Sequence, residues 1–181
     1  MDRDQEKAMI ESCQNGDREA LEKLVRQMQK PIYNAAYRML GNPDLAADVT
    51  QTTFLKVFEN IQRFNQQHRI FSWTYRIAMN ESIDQLKRGK RLEPLTDTPV
   101  SETGSPRKEA AREQLADTVQ TTLMELGEDQ RAVMTLRHFS DCSYEDISRI
   151  LDIPEKTVKS RLYSARQQMK NRLQEHGVFS S

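Results

Sequence analysis

Residues 143–162 read SYEDISRILDIPEKTVKSRL, and this stretch decides the fold. Ser143 with Asp146 three residues on is a capping box, a hydroxyl at the cap answered by a carboxylate in the first turn. It predicts a short helix through Ile147, Ile150 and Leu151, broken at Asp152-Ile153-Pro154. A long final helix should then run from about 155 to 173. On it Val158, Leu162, Ala165 and Met169 recur at i, i+4, i+7 and i+11, which makes one apolar face. Lys156, Lys159, Ser160, Tyr163, Gln167 and Lys170 fall on the opposite arc at ~100° per residue. A short capped helix, a tight break and a longer cationic helix is the outline of a helix-turn-helix, whose second helix enters the DNA major groove. Between Glu155 and Arg172 six cations (Lys156, Lys159, Arg161, Arg166, Lys170, Arg172) face one acid, Glu155, a local balance of +5. Such side chains neutralise phosphates, and Lys, Ser and Tyr near the helix start can reach base edges. A basic solvated surface helix is the competing reading, disfavoured by the capped helix and the break before it.

Upstream, Leu115, Val119, Leu123 and Leu126 predict a helix ended by Gly127, and Arg131, Val133, Leu136 and Phe139 predict another. Residues 92–112 change character: Pro94, Pro99, Gly104 and Pro106 alternate with Thr and Ser, and apolar periodicity disappears. This reads as a flexible linker with an acidic middle, Glu93, Asp97 and Glu102. Before it, Asn15-Gly16-Asp17 and Gly41-Asn42-Pro43 each end one helix and start the next. Ala20, Leu21, Leu24, Val25 and Met28 share one stripe; Phe54, Val57, Phe58 and Ile61 share another and are assigned to the core. A polar loop, Asn65 to Arg69, leads into a helix carrying Trp73, Ile77, Ile83 and Leu86. It closes on Lys87-Arg88-Gly89-Lys90-Arg91, which by itself suits a solvated helix end near the negative pole of the dipole. The fold class expected is therefore all-α: two small helical domains, 1–91 and 113–181, joined by the linker at 92–112, the second domain containing the helix-turn-helix.

Composition narrows the function. Of 181 residues 36% are hydrophobic, enough for one modest core or two small ones. Acids and cations balance at 27 each, so only the local placement of charge speaks to nucleic acid. Cys13 and Cys142 have no partner at metal-ligand spacing, and His138 four residues before Cys142 makes no four-ligand site. Neither a bilayer-length apolar run nor a signal-peptide core is present, so a cytoplasmic location is expected. No phosphate-binding glycine loop, nucleophile elbow or paired-histidine metalloprotease motif occurs, so no catalytic residue, metal or cofactor is expected.

Two stretches together resemble a known family. Tyr144 to Ile147 with Ile153 to Leu162 is similar to the minus-35-reading helix-turn-helix of extracytoplasmic-function sigma factors of RNA polymerase. Asp48-Val49-Thr50-Gln51-Thr52-Thr53-Phe54, followed by Trp73-Thr74-Tyr75-Arg76-Ile77-Ala78-Met79-Asn80 through Asp84, resembles their polymerase-binding and minus-10 region. The resemblance implies a non-enzymatic initiation factor. Its partners would be core RNA polymerase (the beta-prime clamp helices and the beta flap), promoter DNA and an anti-sigma factor, with no small-molecule substrate. It implies that Asp48 and Gln51, on one helix face, meet the clamp helices. It places minus-10 recognition and melting in the first domain, with an unstacked base captured by the loop from Phe64 to Ser72. His68, Arg69, Arg76 and Asn80 are the candidates there, supported by Lys87 and Arg88; Trp73 is expected as a core or wedge residue. For the minus-35 element it points to Lys159, Ser160 and Tyr163 in the groove, with Lys156 and Arg161 on phosphates.

The chain departs from the family pattern at Gly127 (usually proline), Lys156 (usually glycine), Ile70 (commonly aromatic) and Ser164 (often cationic), changes that bear on base preference more than on fold. A DNA-binding regulator acting without polymerase would explain the second domain equally well, since helix-turn-helix units serve many functions. It leaves Asp48 to Asp84 unexplained. An enzyme with an appended DNA-binding module would need a catalytic pocket in the first ninety residues, where no nucleophile, base or metal cluster stands at workable spacing.

Overall fold

The computed structural model describes residues 3–92 and 107–178, the side chains of 90–92 and 107–111 excepted. Helices α1 (Arg3–Gln14), α2 (Arg18–Leu40), α3 (Pro43–Asn60) and α4 (Ile70–Leu92) form the first half. A 3-10 turn, Ile61–Arg63, follows α3. The second half holds α5 (Arg107–Met124), α6 (Glu128–Met134) with a π-helical extension over Thr135–Phe139, α7 (Tyr144–Leu151) and α8 (Glu155–Glu175). No strand occurs among the described residues. The expected linker at 92–112 lies largely outside them, and where description resumes at Arg107 the chain is already helical. Lys, Glu, Ala and Arg there favour a helix without an apolar stripe to announce it.

The expected punctuation acts locally. Asp17 caps α2, accepting from the Glu19 and Ala20 amides at 2.9 and 3.3 Å. Asn42 caps α3 through the Asp44 and Leu45 amides at 2.9 and 3.0 Å, with Pro43 in the first turn. Leu24, Ile32, Ala36 and Met39 of α2 pack against Ala46, Val49 and Val57 of α3 and Tyr75, Ala78 and Met79 of α4, all buried. Alanines at 35, 36 and 46 bring the backbones close, while each buried Leu or Ile contributes about 2 kcal/mol. Met9, Ile10 and Cys13 seat α1 on this core. In the second half Leu123, Leu126, Val133, Leu136, Ile147 and Ile150 surround the predicted apolar face of α8, whose four members are all buried.

Two assignments change. Phe58, taken as core, is 38% exposed, because it stands at an open groove between α2 and α3. Gly127 does not end α5, which stops at Met124; it is the N-cap of α6, with an extended ψ of 150° that starts the next helix.

The two halves pack on one another. Arg131 of α6, 6% exposed, reaches across to donate from Nη1 to the Met39 carbonyl at the end of α2 (2.7 Å). Arg38 donates to Gln120 Oε1 at 2.8 Å and stacks 4.4 Å over the Phe139 ring. Tyr75 is buried between the halves; burial pushes its phenol up to about 12, with Ser140 opposing the shift. Gly41 ends α2 at φ +67°, and a Cβ there would meet the Met124 sulfur at 3.0 Å. A Gly41→Ala chain is expected to lose about 1 to 2 kcal/mol from left-handed strain and this contact, or roughly 5 °C of Tm by thermal circular dichroism. An unchanged Tm would show that Gly41 can adopt another conformation at no cost.

Candidate nucleic-acid and polymerase interfaces

The helix-turn-helix forms as read. Ser143 Oγ accepts from the Asp146 amide at 3.0 Å and the Asp146 carboxylate accepts from the Ser143 amide at 3.1 Å. Asp152 adopts φ +55°, turning the chain sharply into α8, and Ser148 Oγ donates to the Ile153 carbonyl at 2.6 Å to hold the turn. With Val158, Leu162, Ala165 and Met169 buried, Lys156, Lys159, Ser160 and Tyr163 are left facing solvent, Tyr163 at 69% exposure. Arg161 is placed differently. Its guanidinium pairs with Asp129 of α6 at 2.6 Å with the side chain 29% exposed, so it braces α8 against α6. Arg166 adds a cation beside His138, donating from Nε to Nε2 at 3.3 Å; burial, Arg166 and Arg137 all lower the His138 pKa and keep it a neutral acceptor.

In the first half, His68, Arg69, Ser72, Trp73 and Arg76 line a cleft of about 860 Å³. Phe64 and Trp73 form its aromatic wall, ring centroids 4.8 Å apart. Trp73 is half-buried against the core. Ser72 Oγ, which sequence reasoning did not single out, is buried at this cleft without a hydrogen-bond partner among the described residues. Asn80, Lys87 and Arg88 are exposed farther along α4, on or beside the Arg76 stripe; the rest of the cationic run, Lys90 and Arg91, has no described side chains. The opposite wall is the helix-turn-helix itself, through Ser143, Glu145, Asp146, Arg149 and Asp152, and Arg76 pairs with Asp152 at 3.2 Å. The surface that would take a DNA strand is thus faced by carboxylates of the second half.

Asp48 and Gln51 are both exposed on α3. Gln51 lines an open groove of about 740 Å³ between α2 and α3, whose apolar members include Tyr33, Phe54, Leu55 and Phe58, with Arg26 and Lys30 along α2. Leu55 is 53% exposed, and the groove continues past Phe58 to Leu21 and Val25. Sequence reasoning missed this groove. The signal was present, since apolar residues at 54, 55, 57 and 58 cover more of α3 than one packing face requires.

The remaining reactive groups are quiet. Cys13 and Cys142 are buried and unpaired, and burial pushes the Cys142 thiol up to about 12, far from the thiolate a redox sensor needs. No group of three or more metal-ligating side chains occurs among the described residues. No described helix is long and apolar enough to cross a membrane.

A helix-turn-helix with an exposed cationic helix and an open apolar groove stand together on one all-helical chain, the outline of a DNA-binding transcription factor. The chain belongs to the extracytoplasmic-function family of RNA polymerase sigma factors, and it directs promoter-specific initiation by binding core polymerase and reading minus-10 and minus-35 elements. The Sigma-70 region 2 family matches residues 24–92, and the Sigma-70, region 4 family matches residues 116–169. The RNA polymerase sigma-H factor of Pseudomonas aeruginosa is 31% identical, over 94% of this chain and 95% of its own. The ECF RNA polymerase sigma-E factor of Escherichia coli K12 is 30% identical over 93% and 94%. The fold matches that of CnrH, solved in complex with the cytosolic domain of CnrY, at TM-score 0.75 and 22% identity over 94% of this chain and 97% of that one. It also matches RpoE of Bartonella quintana, solved with the anti-sigma factor NepR, at TM-score 0.67 and 24% identity over 84% and 96%.

Proposed function

We propose that residues 1–91 bind core polymerase and recognise and melt the minus-10 element, that 113–181 read the minus-35 element, and that 92–112 join them. The groove between α2 and α3 carries this reading, because a protein that only reads DNA has no use for an open apolar groove beside Asp48 and Gln51. The groove takes the beta-prime clamp helices. His68, Arg69, Arg76 and Asn80 meet the opened strand, with Lys87 and Arg88 on its phosphates. Lys159, Ser160 and Tyr163 enter the major groove, Lys156 contacts a phosphate, and Arg161 reaches one only by leaving Asp129. The protein acts by recognition and catalyses no reaction, in the cytoplasm where polymerase and chromosome meet. The similar sigma factor RpoE, solved with the anti-sigma factor NepR, supports such a partner here as well.

The packed arrangement is not the one that reads a promoter. Elements named for positions 25 base pairs apart lie roughly 85 Å apart on B-form DNA, at ~3.4 Å per base pair. An Arg76–Asp152 pair of 3.2 Å cannot persist across that distance. Core polymerase supplies the geometry that holds the halves apart at the right spacing.

The test is run-off transcription with core polymerase on DNA upstream of the protein's own gene. Initiation should depend on the protein and fall about tenfold or more when Asp48 and Gln51 are both replaced by Ala, each change removing one polar contact of roughly 1 kcal/mol at an interface. Failure to bind core, together with salt-sensitive binding of duplex DNA by the protein alone, would instead point to a regulator independent of polymerase.

A further inference from the structure

Helix α1 precedes the region matched to the sigma-70 family, which begins at residue 24, and no role above falls to it. Its polar side chains nonetheless converge on one target. Glu6 is 3% exposed, a depth at which a carboxylate is costly unless both oxygens are satisfied. Both are: Oε2 accepts from Arg69 Nε at 2.6 Å and Oε1 from the Ile70 amide at 2.7 Å. The first bond orients a candidate strand-contacting cation, and the second caps the start of α4. Eight residues along the same helix, Gln14 Nε2 donates to the Ile61 and Phe64 carbonyls, each at 2.9 Å, while its oxygen accepts from Gln66 Nε2 at 2.7 Å. Arg3 donates to the Gln67 carbonyl at 3.3 Å. The loop between the 3-10 turn and α4 is therefore held at both ends and in its middle by α1, whose other face is seated in the core by Met9, Ile10 and Cys13.

We propose that Glu6 and Gln14 are positioning residues for minus-10 recognition: α1 clasps the loop from Phe64 to Arg69 in the one conformation that presents His68, Arg69 and the Phe64–Trp73 wall to an unstacked base. The inference rests on the assignment of minus-10 reading to this loop. The Glu6 pairing uses Arg69 Nε and leaves the side chain 44% exposed at the cleft, so the terminal guanidinium nitrogens stay available for a base or phosphate. A loop of polar residues has no packing of its own to choose this shape, and preorganisation lowers the cost of ordering it on DNA. Glutamine cannot replace Glu6, because its amide nitrogen would face either the Arg69 or the Ile70 donor.

The experiment measures selectivity rather than output. Holoenzymes assembled from core polymerase and wild-type, Glu6→Gln, Gln14→Ala, His68→Ala or Arg69→Ala protein are assayed on the promoter upstream of the protein's own gene. They are assayed as well on templates carrying each single-base change in the segment opened, as mapped by permanganate. Wild-type discrimination is the ratio of initial rates between the best and worst base at each position. Glu6→Gln is expected to reduce that ratio about tenfold at one or two positions, the loss of a charge-assisted bond, and Gln14→Ala about threefold. Mere loss of folded protein scales every template equally and leaves the ratio unchanged, so undiminished discrimination in both variants overturns the clasp. If His68→Ala and Arg69→Ala reduce discrimination while Glu6→Gln and Gln14→Ala do not, the clasp alone fails. If none of the four changes it, the assignment of the loop to minus-10 reading fails and takes the clasp with it.

Discussion

A chain carrying Leu55→Glu and Phe58→Lys is expected to lose core-polymerase affinity by at least about a hundredfold, and with it promoter-dependent transcription. Both side chains stand at the groove between α2 and α3, 53% and 38% exposed in the free protein, and would be covered by the clamp helices. Each apolar side chain taken out of water contributes about 1.5 to 3 kcal/mol. The replacements forfeit that gain and add charges that docking must desolvate, and a summed loss of about 3 kcal/mol, the low end for the two side chains, already corresponds to a hundredfold at about 1.4 kcal/mol per decade. Because neither residue is buried, stability should move little, about 0.5 kcal/mol or less for each change. Binding is measured by competition for fluorescently labelled wild-type protein on core. A folded double variant that competes as well as wild type would remove the groove from the polymerase interface. Arg26 and Lys30 along α2 add a second signature, a docking affinity that declines with salt.

The second large effect is on stability. Arg131→Met is expected to cost about 3 to 5 kcal/mol, out of a total of roughly 5 to 15 for a protein of this kind. The Arg131 guanidinium donates to Met39 O at 2.7 Å, Leu123 O at 3.1 Å and Leu126 O at 3.0 Å, and also to Met124 O. These carbonyls lie at or just past the ends of α2 and α5, where the helices run out of donors; of the four, Leu123 O also accepts from the Leu126 amide at 3.2 Å. Burial lowers the Arg131 pKa, with Glu128 opposing the shift, so the buried charge carries a cost of its own. Methionine would relieve that cost. The carbonyls it orphans are backbone groups that cannot turn away, at about 1 to 3 kcal/mol each, and they outweigh the relief. Arg131→Lys, with one compact ammonium in place of a fork, should fall between the two. Urea unfolding is the measurement, and a Met variant with an unshifted midpoint would mean that water replaces the guanidinium at all four carbonyls.

Opening the packed halves links these effects to function. Arg131 joins both halves, through Met39 on one side and α5 on the other, so its bonds to the second half must survive separation while the bond to Met39 breaks. The Arg76–Asp152 pair is exposed on both sides, 46% and 82%, and contributes little to holding the halves together. The buried Tyr75 and the Arg38 contact with Phe139 hold more. On the proposed opening, core polymerase has an apolar contact to break as well as an ion pair.

The helices, their caps and the helix-turn-helix were legible in the sequence because they depend on neighbours three and four residues apart. Ser143 with Asp146, Asp17, Asn42-Pro43 and the 158, 162, 165, 169 stripe each carry their own local physics, and all stand in the structure as read. The cationic arc of α8 was legible for the same reason, periodicity being a property of the chain. Arg161 was not separable from that arc, because only the position of α6 brings Asp129 within 2.6 Å. Phe58 looked like core because a stripe records apolar residues without recording how many helices cover them. Glu6 looked like any acid in a first helical turn; its burial and its hold on Arg69 join residues 63 positions apart. Arg131 sat in an apolar pattern with no sign of the 92 positions separating it from Met39. Pro31 reads as a helix breaker worth about 3 kcal/mol, yet α2 runs through it, because the burial of Met28, Ile32, Ala35 and Ala36 on both sides offsets the loss. The sequence by itself thus determined the elements, their order and the exposed cationic arc of α8. The tertiary structure alone decided which charges are braces, which apolar residues remain open to a partner, and that the two halves rest against each other, since these depend on burial and on contacts between residues far apart in the chain.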